Sequence, residues 1–178
     1  MKNALRYIAL MLALSACHSK SSTPKVDSVA AYTVPDEKAI KKAVDDAYTS
    51  ISFKKGEQPR YDAIKNYFIP QAQFIHFRGD TTQVLNLGQF VYLYRTFIEG
   101  DSVKLVYEHE IFGKTEQFGK IAERMSTYET YMNTMDTVAE RGVNSFQLIK
   151  TKQGWKVSSI IWDVEKKGLV VPGYYLGK

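Results

Sequence analysis

The pattern of apolar and polar positions changes period once along this chain, near Gly100. Before it, apolar residues recur at intervals of three and four; after it, they recur at every second position, as in half-buried strands. Ala39, Ile40, Ala43, Val44, Ala47, Tyr48 and Ile51 make one stripe at helical spacing and predict a helix over 35–51. Pro35 suits a first helical position, and Asp36 and Glu37 sit where the helix dipole favours acids. A short second helix is expected over 60–67, stopping before Pro70, with Tyr61, Ile64 and Phe68 turned inward. A strand over 73–77, a turn through Arg78, Gly79, Asp80 and Thr81, and a return strand over 82–85 follow. The clearest helix start comes next. Asn86 is the cap, Gln89 completes a capping-box spacing, and Leu85 and Phe90 occupy hydrophobic-staple positions. Leu87, Phe90, Val91, Tyr94, Phe97 and Ile98 predict its buried stripe, and Gly100 its end.

Beyond Gly100 the repeat of two predicts four strands, near 103–112, 117–132, 138–150 and 154–164. Tight turns are expected around Gly113, over 133–136, and at Gln153 and Gly154. Long strands with short connections give an antiparallel meander. Helices first and strands after make the fold class α+β, not a doubly wound sheet.

The first 34 residues have a different character. Lys2 and Arg6 precede an apolar run of eight, Tyr7 to Leu14. That is far short of the roughly 20 residues a membrane-spanning helix needs, and it has the form of a secretory signal over 1–16. Leu14, Ser15, Ala16 and Cys17 resemble the lipobox of bacterial lipoproteins. That resemblance implies cleavage before Cys17, acylation of its thiol, and a membrane partner reached through that lipid. Cys17 is the single cysteine, so no disulfide within the chain can form. His18 follows it, with no acidic run after. In many double-membrane bacteria that pattern directs a lipoprotein to the outer membrane, facing the periplasm. Residues 17–34, rich in Ser, Thr, Lys and Pro, read as a tether reaching up to roughly 55–60 Å.

The remaining 35–178 is one domain on ordinary size priors. Twelve Tyr and nine Phe supply ample core material. The net charge of +5 falls when Lys2 and Arg6 are removed, leaving 22 of the 24 basic residues against 19 acidic ones. This is too mild and too dispersed for a nucleic-acid partner.

The order helix, helix, short strand pair, helix, four long strands resembles the nuclear transport factor 2-like fold, in which a strongly curved, mostly antiparallel sheet wraps three helices as a cone. Phe68, Pro70 and Phe74 resemble its first-strand approach. Gly119, Ala122, Ser126, Thr127, Tyr128 and Glu129 resemble its long central strand. The runs 142–148 and 155–165, with Pro172, Tyr175 and Leu176, resemble its last strands and terminal segment. The resemblance covers roughly 36–176. It implies a pocket between sheet and helices, and it spans isomerases, cyclases, dehydratases and non-catalytic binders.

Strand parity selects pocket candidates: Glu108 and Glu110 on one face of their strand, Arg124 and Tyr128 on the next, Gln147 and Trp162 on the last two, and His76 on the first. Glu110 could serve as a general base, Tyr128 or His76 as a hydrogen-bond donor to a developing oxyanion, and Arg124 as a clamp for a carboxylate. Equally, Arg124 could pair with Glu108 or Glu110 as an ordinary sheet stabiliser. Catalysts of the ketosteroid isomerase type use a carboxylate base with a Tyr and acid pair, and that set has no clear counterpart here. No metal site, phosphate-cradling loop or cofactor is implied. The leading expectation is therefore a lipid-anchored envelope protein that binds a small apolar ligand or a protein partner without catalysis. A SnoaL-like or isomerase-like enzyme acting on a small hydrophobic metabolite is the alternative, and a homodimer through the sheet is a further expectation.

Overall fold

A computed structural model describes residues 32–178. The signal segment, Cys17 and most of the tether lie outside the described residues. The chain runs α1 (Glu37–Ile51), α2 (Tyr61–Ile64), β1 (Phe68–Arg78), β2 (Thr81–Asn86), α3 (Leu87–Gly100), β3 (Val106–Phe118), β4 (Ile121–Met132), β5 (Glu140–Thr151) and β6 (Gly154–Val164), then a 3-10 turn at Gly173–Leu176. One six-stranded sheet has the order β2-β1-β6-β5-β4-β3. All pairs are antiparallel except β1 with β6.

α1 forms where its stripe demanded. Ile40, Val44, Ala47 and Tyr48 are buried against the sheet. Each large apolar side chain fully buried there contributes roughly 1.5–3 kcal/mol. The Tyr48 hydroxyl ends between Ser126 Oγ at 2.8 Å and Asn144 Nδ2 at 2.9 Å, so its one polar atom is satisfied inside the core. At the far end, the Tyr94 hydroxyl donates to the Ile51 carbonyl, one of the acceptors a helix terminus leaves open. The capping box of α3 is present in full, with both Asn86–Gln89 hydrogen bonds at 2.9 Å.

Three departures from the sequence expectation have clear causes. α2 is a single turn, because Tyr67 and Phe68 are drawn into pairing with Val157 of β6. β1 therefore starts early and contains Pro70. That proline falls where the pairing with β6 is irregular and β2 has not yet begun, so its missing N–H removes no ladder bond. The expected turn at Gly113 is absent, and β3 continues to Phe118, turning at Gly119 with φ +56°.

Gly113 has another reason to be glycine. A bulge at Ile111 shifts the register between Glu110 and Phe112. Glu110 and Gly113 thereby both face the helices, beside the buried Arg124. Arg124 donates to both oxygens of Glu110, at 2.8 and 2.7 Å, and to Glu37 of α1 at 2.7 Å. A Cβ on Gly113 would lie 2.6 Å from both Arg124 Nη2 and Glu110 Oε2. The bulge also bends the strand and so contributes to the curvature of the sheet.

On the sheet's other face, the C-terminal segment covers part of β3 and β4. Thr127 Oγ1 donates to the Tyr175 carbonyl at 2.5 Å, and Lys114 Nζ lies 3.5 Å from the centre of the Tyr174 ring. Farther along, Val84, Ile75 and Ile161 stand side by side across β2, β1 and β6.

Gly113→Ala is expected to cost about 3 kcal/mol in urea unfolding, from overpacking and loosening of a buried ion pair. A loss below about 0.5 kcal/mol would show that the pair has room to give.

Candidate ligand cavity

Between α1, α3 and the sheet lies a cavity of about 460 Å³. It falls within the ordinary range of small-molecule pockets. Its walls are mainly apolar, with many aromatic side chains. Phe74 and Phe90 stack at 4.1 Å, Phe90 continues to Tyr94 at 6.2 Å, and Tyr48 meets Phe146 edge-on at 5.5 Å. The cavity also explains why α3 departs from its expected pattern. Of its predicted stripe only Ile98 is buried; Leu87, Phe90, Val91 and Tyr94 are partly buried, and Phe97 is 39% exposed. Phe90, Leu93, Tyr94 and Phe97 line a space instead of closing on a packed core.

The polar part of the cavity is set by register. Glu108 of β3 pairs with Thr130 of β4, and Thr130 pairs with Glu140 of β5. The two carboxylates thus flank one threonine in a single row across three strands. Thr130 Oγ1 donates to Glu108 Oε2 at 2.8 Å, and no described residue donates to Glu108 Oε1. One pair along, the Tyr128 hydroxyl donates to Glu140 Oε1 at 2.7 Å. Gly142, opposite Tyr128, leaves room for that ring, since a Cβ there would lie 2.8 Å from the hydroxyl.

Glu108 is half-buried and lines the cavity. Loss of water around it lifts its pKa from 4.5 to about 7, against the opposing hydrogen bond from Thr130, with a further push from the charge of Glu140. Burial and the neighbouring glutamates hold the Tyr128 hydroxyl well above the usual tyrosine range. Among the described residues no Lys or Arg lines the cavity.

Four of the seven residues selected by strand parity line this space: Glu108, Tyr128, His76 and Trp162. His76 stacks flat on Trp162, centroids 4.8 Å apart, on strands β1 and β6. The other three do not. Glu110 and Arg124 are bound to each other outside the cavity, so Glu110 is not placed to act as a base there and Arg124 clamps the protein's own carboxylate. Gln147 is on the opposite sheet face. Its neighbours Phe146 and Leu148 are the buried inward residues, and the irregularity beside it shifts the parity of β6 relative to β5. Thr130, Asn144 and Glu140 were missed. Thr130 shares the parity of Tyr128, and Asn144 that of Phe146. Glu140 carries no such signal, standing exposed at the first position of its strand. Among the described residues no group of three or more His, Cys, Asp or Glu could hold a metal ion.

No family model and no curated protein matches the chain in sequence. Solved structures do match in shape. A Nostoc punctiforme protein of unknown function with a cystatin-like fold superposes with a TM-score of 0.60 at 11% identity, covering 75% of this chain and 93% of that one. A Novosphingobium aromaticivorans protein provisionally assigned as a scytalone dehydratase gives 0.58 at 9%, covering 74% and 85%. A nuclear transport factor 2-like protein of unknown function from Silicibacter pomeroyi gives 0.52 at 13%, covering 75% and 100%. At such identities the likeness establishes the fold alone. It is the nuclear transport factor 2-like, cystatin-like α+β fold, with three helices on a curved six-stranded mixed sheet.

The titration of Glu108 has a consequence for stability. Because its folded pKa is raised, the folded protein keeps a proton that the unfolded chain loses above about 4.5. The resulting destabilisation is absent below that pH, grows toward 7, and then levels off at about 3 kcal/mol. Glu108→Gln is therefore expected to match the parent in unfolding near pH 4 and to exceed it by up to about 3 kcal/mol near pH 8. A difference independent of pH would contradict the enclosure of this group.

Proposed function

We propose that this protein is a lipid-anchored bacterial envelope protein whose cone binds a small, largely apolar ligand without catalysis. The cavity carries this reading, being an aromatic space of about 460 Å³ with its polar groups confined to a few positions. An apolar body buried there would gain roughly 25 cal/mol per Å² removed from water, and Glu108, Tyr128 and Asn144 would orient a polar end. The anchoring half of the proposal rests on the lipobox-like run Leu14, Ser15, Ala16, Cys17, and the tether would let the cone stand away from the bilayer. Outer-membrane attachment facing the periplasm belongs to the same reading. Among the described residues no helix is long and apolar enough to cross a membrane.

A second reading has one specific observation in its favour. A carboxyl group titrating near 7 beside a tyrosine, inside an apolar cavity, is suited to proton transfer. An isomerase- or dehydratase-like enzyme would then use Glu108, not Glu110. The apolar row of Val84, Ile75 and Ile161 supports a homodimer through the sheet as a subsidiary proposal.

Both halves are open to direct test. Growth of the host with an alkyne fatty acid is expected to label the protein, and Cys17→Ser to abolish the label and shift the protein out of the membrane fraction. Labelling that survives the substitution would refute the anchor. Native mass spectrometry of the protein from its own host is expected to show a bound small molecule that is released chemically unchanged. Turnover of that molecule by the parent but not by Glu108→Gln would establish the enzyme reading instead.

A further inference from the structure

The balance of charge inside the cavity says more about the ligand than its apolarity does. Two carboxylates, Glu108 and Glu140, line it, while among the described residues no lysine or arginine does. The buried Arg124 is already bound to Glu110 and Glu37. Among the described lining residues only His76 is able to carry positive charge, and it stands on β1, four strands from β3 in the order of the sheet. Glu108, half-buried and lining the cavity, accepts a hydrogen bond at Oε2 from Thr130 and none at Oε1 from a described residue. The same cavity is lined by the aromatic side chains of Tyr48, Phe74, Phe90, Tyr94 and Trp162.

Each of these features disfavours one class of ligand. An anionic amphiphile such as a fatty acid would place its carboxylate beside two others, with no cation to neutralise it. A neutral alcohol could donate to one oxygen but would leave the unbalanced charge of the acid row where it is. An ammonium satisfies both demands. It donates to the free oxygen of Glu108, supplies the missing counter-charge, and is attracted to the electron-rich faces of the surrounding rings.

We infer that the ligand of this cavity is an organic cation, an amine carried on an apolar ring or short chain, with its ammonium seated between Glu108 and Glu140. The inference rests on the reading of the cavity as a ligand site and specifies the chemistry of what fills it. No bond is made or broken, and the ion pair with Glu108 forms inside the protein.

Three probes with one carbon skeleton separate the two levels of the proposal: 1-naphthylmethylamine, 1-naphthalenemethanol and 1-naphthoic acid. Each is titrated calorimetrically at pH 7.5 into the full chain held in nanodiscs, with empty nanodiscs subtracted. The amine is expected to bind at least about ten-fold more tightly than the alcohol, and the acid most weakly. Glu108→Gln is expected to cut the preference for amine over alcohol to about three-fold or less. Glu140→Gln, at the exposed start of β5, should reduce the same preference and serves if the first variant is poorly folded. Equal or tighter binding of the alcohol or the acid would overturn the cation proposal and leave the ligand cavity standing. Binding of none of the three would overturn both.

Discussion

Arg124 is nearly fully buried and has to be neutralised where it lies, because an uncompensated charge at such a depth costs several kcal/mol. Much of the cone is arranged around that requirement. The bulge at Ile111 brings Glu110 round to meet the guanidinium with both oxygens, and the missing side chain of Gly113 leaves space for the pair. Glu37 reaches the same group from the first turn of α1, so the helix is tied to the sheet at its N-terminal end. At the other end α1 is tied through Ser52, whose hydroxyl accepts from the backbone of Glu108 at 3.0 Å. The helix is thus pinned at both ends across the concave face.

This arrangement also divides the acids of β3 by role. Glu110 is occupied by Arg124, whereas Glu108, two residues earlier on the same face, meets only Thr130. Two identical side chains therefore have opposite chemistry. One is held in an ion pair with Arg124; the other lines the cavity, where the described residues include no lysine or arginine. α3 completes the contrast, since its aromatic side chains form a wall against the cavity instead of filling it.

The sequence made the helices and the meander legible because their signals are periodic. The stripe of α1, the Asn86–Gln89 capping box and the four long strands all appear near their expected places. Three features were not legible. The bulge at Ile111 has no local sequence signature, and Gly113 imitates a turn although a side-chain contact requires it. The parallel pairing of β1 with β6 is a long-range event that no window reveals. In the site, parity found Glu108, Tyr128, His76 and Trp162 but could not say whether Arg124 would take Glu108 or Glu110. That choice belongs to the bulge. Gln147 was misplaced through the parity of its strand, and Glu140 entered the site only through the register of β5 against β4.

The central claim is that Glu108 lines an apolar cavity whose described lining residues include no lysine or arginine. Titration of the glutamate side-chain carboxyl carbons by NMR tests it most directly, with Glu108→Gln identifying the resonance. The account predicts one glutamate titrating with a midpoint of about 7. A midpoint near 4.5 for Glu108 would mean that water or a cation reaches it, and would contradict the account.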